Sequence, residues 1–128
     1  MRAILDTHVF LWWVLDIPRL SADVRSMLED GTNEFLLSAA SAYELTIKTQ
    51  SGRLTLPEPA DSYVPSRLAA NSFEPMPIEL AHAVRAGMLP AIHHDPFDRM
   101  LVAQAQVEGL PILTADPAIS RYDVETIW

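Results

Sequence analysis

The sequence predicts an α/β protein built on a parallel β-sheet, and three observations support this fold class. The chain opens with a short apolar segment, Met1 to Asp6, and a strand without a polar face is typical of the centre of a parallel sheet. Short apolar runs then alternate with segments of helical composition, which favours a sheet covered by helices on both faces. The 128 residues match the size of one ordinary domain, so we expect a single domain over residues 1–128.

The first half of the chain predicts two strands and three helices. After the first strand, the apolar run Thr7 to Leu15 indicates a buried or interface helix, which Pro18 ends. Ser21 to Glu29 is a surface helix that begins at a serine N-cap and has its apolar residues on one side. Glu34 to Ser38 is a second short apolar strand, and a helix from Ser41 to Ser51 follows, with a glycine as its stop.

The middle of the chain is the least regular part. Asp61 to Ala70 has helical composition, and Pro65 either lies in its first turn or splits it. Phe73 to Ile78 is a third strand, which its two prolines weaken. Glu79 to Leu89 is a helix with apolar residues on one face. These apolar residues are Leu80, Val84 and Met88.

The last third of the chain contains the most complete helix pattern. Pro96 to Glu108 has Asp95 as its N-cap, a proline at its first position and Gly109 just past its end. Two further strands, Pro111 to Thr114 and Val124 to Trp128, complete the predicted sheet.

Composition excludes several classes of site. The chain has no cysteine, so a disulfide framework, a thiolate nucleophile and a cysteine-bound zinc are excluded, and a metal would need oxygen or imidazole ligands. The net charge is -8 and Lys48 is the one lysine, so we expect phosphate binding through a cation, or a basic partner protein, rather than a basic surface.

The longest apolar run, Val9 to Leu15, is too short to span a bilayer, and the start of the chain lacks a signal-peptide pattern. We therefore expect a cytoplasmic protein without a membrane partner.

Four acidic residues fall at one edge of the predicted sheet. Asp6 ends the first strand, Glu44 lies in the first turn of the helix after the second strand, and Asp116 follows the fourth strand. Asp98 lies in the first turn of the helix that enters the fourth strand, and that helix begins at the same edge because crossover helices run antiparallel to the strands. Converging carboxylates repel one another unless a cation lies between them, so the pattern predicts an oxygen-ligated Mg²⁺ or Mn²⁺ site.

Each acid also has an ordinary structural explanation. Ser41 and Glu44 form a capping-box pattern, so Glu44 could return a hydrogen bond to the Ser41 backbone. Asp98 could be a first-turn acid favoured by the helix dipole, and Asp116, before a proline, could be an N-cap or turn residue. Asp6 is harder to explain in this way, because a carboxylate at the end of a buried strand needs a partner. The common edge favours a functional role for the set, since helix caps alone have no reason to gather there.

Five further polar residues lie near the same edge. Asp95 is the expected helix cap and a candidate for a supporting role behind the metal ligands. Thr114 could hold a water or orient the acid that follows it. The Arg99 guanidinium could contact a substrate phosphate or neutralise a neighbouring acid. His93 and His94 are expected as solvent-facing loop residues, with imidazole ligation as the alternative.

Four segments carry a family resemblance. They are residues 4–8 (ILDTH), 38–45 (SAASAYEL), 94–105 (HDPFDRMLVAQA) and 113–116 (LTAD). In this order and spacing they resemble the PIN-domain ribonucleases, and within that family the VapC-type toxins of bacterial toxin-antitoxin pairs. The resemblance extends from the first strand to the last.

The resemblance implies a three-layer α/β/α fold with a five-stranded parallel sheet, and an Mg²⁺- or Mn²⁺-dependent endoribonuclease. The family's acidic residues correspond to Asp6, Glu44, Asp98 and Asp116, which would act mainly as metal ligands. A metal-activated water would attack the phosphodiester in line and leave 5′-phosphate and 3′-hydroxyl ends. The resemblance also implies a homodimer and an antitoxin segment that covers the site, and a basic segment would complement an acidic toxin.

Other classes of protein also carry acids at this edge of an α/β sheet. A catalytically silent binding subunit with the same fold would use its acidic edge only to hold a partner, and a nuclease with an RNA-processing or DNA-directed role would share the same residues. A phospho-receiver domain is a poor match, because Thr7 follows Asp6 where that class needs a second acid, and Lys48 lies far from the last strand. A haloacid-dehalogenase-like phosphatase is excluded by His8, which occupies the position of its second aspartate.

Overall fold

The computed structural model describes residues 1–128 as five strands and seven helices. The strands are β1 (Arg2–Leu5), β2 (Glu34–Ser38), β3 (Glu74–Met76), β4 (Ile112–Leu113) and β5 (Thr126–Ile127). The helices are α1 (Thr7–Val14), α2 (Ala22–Glu29), α3 (Ala39–Gln50), α4 (Ala60–Asn71), α5 (Leu80–Met88), α6 (Pro96–Glu108) and α7 (Pro117–Ser120). All of these helices are too short or too polar to cross a membrane.

The five strands form one sheet in the order β3-β2-β1-β4-β5, and every strand pair is parallel. β1 is central, as its apolar sequence predicts. The chain adds β2 and β3 on one side of β1 and then crosses to add β4 and β5 on the other. The carboxyl ends of β1 and β4 therefore flank the point where the strand order reverses, which is where ligands bind in open α/β sheets.

Two apolar cores lie on opposite faces of the sheet. Ala3 and Leu5 of β1 belong to one core and Ile4 to the other, because successive side chains of a strand point to opposite faces. Residues of α1, α2 and α4 complete the first core, and residues of α5, α6 and α7 complete the second. The arrangement confirms the α/β fold class, with the five-stranded parallel sheet between two helical layers.

The start of α3 differs from the prediction. Ser38 is its N-cap, because the Ser38 hydroxyl accepts a hydrogen bond (3.0 Å) from the Ala40 N–H. Ser41 lies inside the helix, where its hydroxyl accepts a bond (2.8 Å) from the Thr7 hydroxyl of α1. The capping-box explanation of Glu44 is therefore wrong, and Glu44 lies in the second turn of α3 rather than the first.

The two proline-containing segments both form regular structure. α4 runs without a break through Pro65, which lies in its second turn, so both predicted placements of this proline are wrong. Proline removes the hydrogen bond to the carbonyl four residues earlier, and that carbonyl belongs to the exposed Asp61, where water can replace the bond. β3 tolerates Pro75 because it is an edge strand.

Helix α5 presents its apolar face to solvent. Leu80, Val84 and Met88 share one face, as predicted, and are 82%, 55% and 78% exposed. The buried side of α5 carries His82, whose Nε2 lies 2.9 Å from Oε1 of Glu108 at the end of α6. We call the three exposed residues the α5 stripe; an exposed apolar surface of this kind indicates a contact surface.

Candidate active site

Asp6 follows β1 directly and lies beside the end of β4. The residue is 3% exposed. The Thr114 hydroxyl donates a hydrogen bond to Oδ2 of Asp6 (2.6 Å), and the His8 N–H donates to Oδ1 (3.4 Å). Burial raises the pKa of Asp6, and the bonds from Thr114 and His8 only partly offset this effect. A nearby cation would therefore stabilise the ionised carboxylate.

Thr114 joins Asp6 to Asp116. The Thr114 oxygen that donates to Asp6 also accepts a hydrogen bond from the Asp116 N–H (3.0 Å). Asp116 in turn caps α7, because its Oδ1 accepts a bond from the Ala118 N–H (2.9 Å). The N-cap explanation of Asp116 is correct, and helix caps do gather at this edge. Capping uses one carboxylate oxygen and leaves the other for a ligand, so the two roles are compatible.

Asp98 lies in the first turn of α6, which Asp95 caps as predicted. Oδ1 of Asp95 accepts hydrogen bonds from the N–H groups of Phe97 (2.9 Å) and Asp98 (3.0 Å). Oδ2 of Asp98 lies 2.9 Å from Nε2 of His93. Burial raises the pKa of Asp98 to about 7; the contact with His93 opposes this shift, and neighbouring carboxylates add to it.

Three potential metal ligands converge at this edge. One nitrogen of His93 and one carboxylate oxygen each of Asp98 and Asp116 lie within 4.8 Å of one another. The ligand atoms of a small divalent cation lie at about 2.1 Å from the ion and therefore within about 4 Å of one another. The three side chains need to move together only slightly to reach these distances. Two carboxylates and an imidazole form a donor set that divalent transition metals accept. The residues therefore fit a divalent cation.

Glu44 lies close to this group but already has a cationic partner. It is 6% exposed, and its Oε2 lies 3.1 Å from Nζ of Lys48, one turn further along α3. The negative charges of Glu44 and Asp6 both contribute to the raised pKa of Asp98, so the two acids act on the same crevice. The structure thus brings Asp98 and Asp116 together with His93, places Asp6 and Glu44 close enough to raise the pKa of Asp98, and pairs Glu44 with a lysine.

Arg99 donates its hydrogen bonds to neutral oxygen atoms of the protein and not to a neighbouring acid. Its terminal nitrogens donate to oxygen atoms at the end of α5, in the following loop and after α7. The acceptors are the carbonyl oxygens of Ala86 (2.9 Å), Leu89 (3.1 Å), Pro90 (2.9 Å) and His93 (3.4 Å) and the hydroxyl of Tyr122 (3.2 Å). None of these partners is an acid, so the guanidinium holds the loop in place, and a contact with a substrate phosphate stays a prediction. We call Arg99 and Tyr122 together the loop clasp.

The sequence predicts a solvent-facing loop position for His93, and this prediction is wrong. His94 is exposed as predicted, whereas His93 is partly buried with its ring against Asp98. The His93 N–H donates to the Tyr122 hydroxyl (3.0 Å), which fixes the loop. A signal was available in the sequence, because residues just before an N-cap often pack against the first turns of the helix that follows.

Comparisons with known proteins identify the family of this chain. The family model described as PIN domain matches residues 3–125. Ribonuclease VapC16 of Mycobacterium tuberculosis is 44% identical over 69 residues, which are 51% of this chain and 49% of that protein, so the match spans about half the length of that relative. Ribonuclease VapC22 of the same organism is 30% identical over 114 residues, which are 88% of this chain and 85% of that protein.

Solved structures share the fold along the whole chain. VapBC2 from Rickettsia felis, bound to a DNA fragment from its promoter, has a TM-score of 0.74 at 14% identity and covers 100% of this chain and 99% of that one. DNA-bound VapBC from Salmonella typhimurium has a TM-score of 0.73 at 17% identity, with 99% and 97% covered. FitAcB from Neisseria gonorrhoeae has a TM-score of 0.66 at 21% identity, with 100% and 97% covered. From the match over residues 3–125 and the shared fold, the chain belongs to the PIN domain family.

Proposed function

We propose that this chain is a metal-dependent endoribonuclease that acts as the toxin of a toxin-antitoxin pair. The proposal rests on the convergence of His93, Asp98 and Asp116 within 4.8 Å at the point where the strand order reverses, beside the buried Asp6. The relatives named ribonuclease VapC16 and ribonuclease VapC22 support the reaction class. An enzyme that acts on cellular RNA meets its substrate in the cytoplasm, which is the location we propose.

Asp6, Asp98 and Asp116 would hold an Mg²⁺ or Mn²⁺ ion, with Glu44 as a further acid at the edge of the crevice. A bound ion would supply an activated water and offset charge on the phosphoryl oxygens. Thr114 hydrogen bonds to Asp6 (2.6 Å) and to the backbone of Asp116 (3.0 Å), so it orients two of the acids together. The positive end of the α6 dipole partly offsets the repulsion between Asp98 and the neighbouring carboxylates. The chain thereby holds its carboxylates in position before the substrate arrives.

Metal removal tests this reaction. We expect the full chain to cleave single-stranded RNA in Mg²⁺ or Mn²⁺, EDTA to abolish the cleavage, and excess divalent ion to restore it, because the acids repel one another without a cation. In-line attack by water predicts 5′-phosphate and 3′-hydroxyl ends, which end-labelled RNA and phosphatase treatment identify. Cleavage that persists in EDTA, or cyclic phosphate ends, would contradict the proposed reaction. A chain that binds the ion and cuts no RNA would favour the catalytically silent binding subunit.

We further propose a basic antitoxin segment as the protein partner. Structural neighbours of this chain are VapBC complexes, and the net charge of -8 would attract a basic peptide. An apolar groove of about 410 Å³ begins at the N-terminus of α3, at the same edge of the sheet as the acids. Its lining residues are Leu37, Ser38, Ala39, Ala42, Val64, Leu68, Pro75, Met76 and Pro77. A segment with apolar residues in this groove would place a basic side chain over the acids.

Co-purification tests the antitoxin. We expect the chain to purify with a small protein encoded beside it, and Ala42→Glu in the groove to weaken that complex because it buries a charge against the partner. Ser26→Glu on the exposed side of α2 is the control and should bind normally. A groove variant that binds the partner as tightly as the wild type would place the interface elsewhere.

We also propose that the chain forms a homodimer through the α5 stripe. Leu80, Val84 and Met88 lie one turn apart on a single helix, and a two-fold axis across that helix packs the stripe against its own copy. We expect Val84→Glu to convert the dimer to a monomer in sedimentation velocity, since two glutamates would then meet in an apolar interface. Ser26→Glu should remain dimeric. A wild-type monomer at micromolar concentration would contradict the homodimer.

A further inference from the structure

We propose that His93 is a nitrogen ligand of the divalent cation and gives the site a preference for Mn²⁺ over Mg²⁺. The inference rests on the metal-dependent function proposed above and adds a ligand to it. The family resemblance implies a site made of carboxylates, and the imidazole of His93 departs from that pattern. Three observations support this assignment: the distance to Asp98, the position of Asp116, and the contacts that hold the loop.

The His93 ring lies where an adjacent ligand of one ion would lie. Nε2 is 2.9 Å from Oδ2 of Asp98. Two neighbouring ligands of an octahedral ion at about 2.1 Å are about 3 Å apart, so this pair already has the spacing of two such ligands. A cation bound to both atoms would replace their mutual hydrogen bond, and the proton of that bond would pass to solvent. One oxygen of Asp116 completes the group within 4.8 Å.

The backbone holds His93 in this position independently of the metal. The His93 N–H donates to the Tyr122 hydroxyl (3.0 Å), and the His93 carbonyl accepts from Arg99 (3.4 Å). Arg99 directly follows Asp98 on α6, and Tyr122 follows the short helix that Asp116 caps. The loop clasp therefore ties all three ligands to one another. Ligands that are fixed before the ion binds lose little freedom on binding.

An imidazole ligand changes which ion the site prefers. Mg²⁺ favours oxygen ligands in near-ideal octahedral geometry, whereas Mn²⁺, as a first-row transition ion, accepts a nitrogen ligand more readily than Mg²⁺ does. The His93 nitrogen in place of a water oxygen should therefore favour Mn²⁺ over Mg²⁺. Substitution of His93 should lower Mn²⁺ affinity by about ten-fold or more and change Mg²⁺ affinity much less.

Pulsed electron paramagnetic resonance of the Mn²⁺-loaded full chain tests the ligand directly, because Mn²⁺ bound to imidazole shows modulation from ¹⁴N. We expect ¹⁴N modulation in the wild type and in His94→Gln, because the ring of His94 is exposed to solvent. His93→Gln should lose it while retaining a near-ultraviolet circular dichroism spectrum of folded protein. Competition between Mn²⁺ and Mg²⁺, followed by the signal of free Mn²⁺, should show a preference that His93→Gln reduces.

The remaining outcomes overturn the inference in distinguishable ways. Mn²⁺ bound to the wild type without ¹⁴N modulation would exclude His93 and leave the metal-dependent nuclease intact. Modulation that survives in His93→Gln and disappears in His8→Gln would assign the nitrogen to His8, whose Nδ1 lies 4.0 Å from Oδ1 of Asp6. A chain that binds neither ion would remove the cation site and the proposed nuclease together.

Discussion

Asp98→Asn is expected to lower RNA cleavage at least about 100-fold, because it removes a negative ligand from the centre of the proposed cation site. Asparagine keeps the size of the side chain and one oxygen, so the fold should be preserved. The variant therefore removes the negative charge without changing the packing of the side chain. Asp6→Asn should have a similar effect on cleavage, since Asp6 lies at the end of β1 and is joined to Asp116 through Thr114.

Initial rates on a labelled RNA in saturating Mn²⁺ measure this effect. Asp23→Asn in the exposed first turn of α2 is the matched control, because it makes the same chemical change outside the crevice, and it should cleave normally. Equal activity in the wild type, Asp98→Asn and Asp6→Asn would end the assignment of the reaction to these positions.

The pH dependence of stability gives a second measurement on Asp98. Its pKa in the folded chain, about 7, lies above the ordinary value of 3.8, so the folded state holds the proton more tightly than the unfolded state does. The resulting stabilisation is fully present below about pH 3.8 and is lost as the pH rises to about 7. Without divalent ions, the wild type should therefore lose on the order of 4 kcal/mol relative to Asp98→Asn across this range. Urea unfolding in EDTA at several pH values measures this difference. If the free energies of unfolding of the two proteins change in parallel with pH, the prediction is contradicted.

Arg99→Ala is expected to destabilise the chain by about 3 kcal/mol, because it leaves several partly buried carbonyl oxygens without their donor. The same change should weaken cation binding, since the His93 loop loses one half of its clasp. Arg99→Lys should lose most of the stabilisation that Arg99 provides, because one ammonium group cannot reach carbonyls that the two guanidinium nitrogens contact separately.

Urea unfolding and Mn²⁺ titration measure the two effects. Arg85→Ala is the control, because Arg85 is exposed on α5 and makes a single hydrogen bond to Gln106 (3.2 Å). It should change stability by less than about 0.5 kcal/mol. An Arg99→Ala chain that is as stable as Arg85→Ala would show that water replaces the lost donors. Normal stability combined with lost cleavage would instead indicate direct contact between Arg99 and RNA.

Local patterns in the sequence determined the architecture. The apolar run before Asp6 placed β1 at the centre of the sheet, and the residues from Asp95 to Gly109 determined both ends of α6, because caps, prolines and hydrophobic periods act over a few neighbouring residues. The direction of parallel strands then put the acids at one edge. These features depend on short-range chemistry, which the sequence displays directly.

Tertiary packing alone decided how the side chains at that edge are paired. Glu44 contacts Lys48, His93 lies against Asp98, and Arg99 binds backbone carbonyls rather than an acid. The outward direction of the α5 stripe was also set by packing, since periodicity shows which residues share a face and not where that face points. Each of these outcomes depends on which groups the folded chain brings within about 3 Å of one another. A loop and a helix can meet in several ways with the same local sequence, so only the complete fold selects among them.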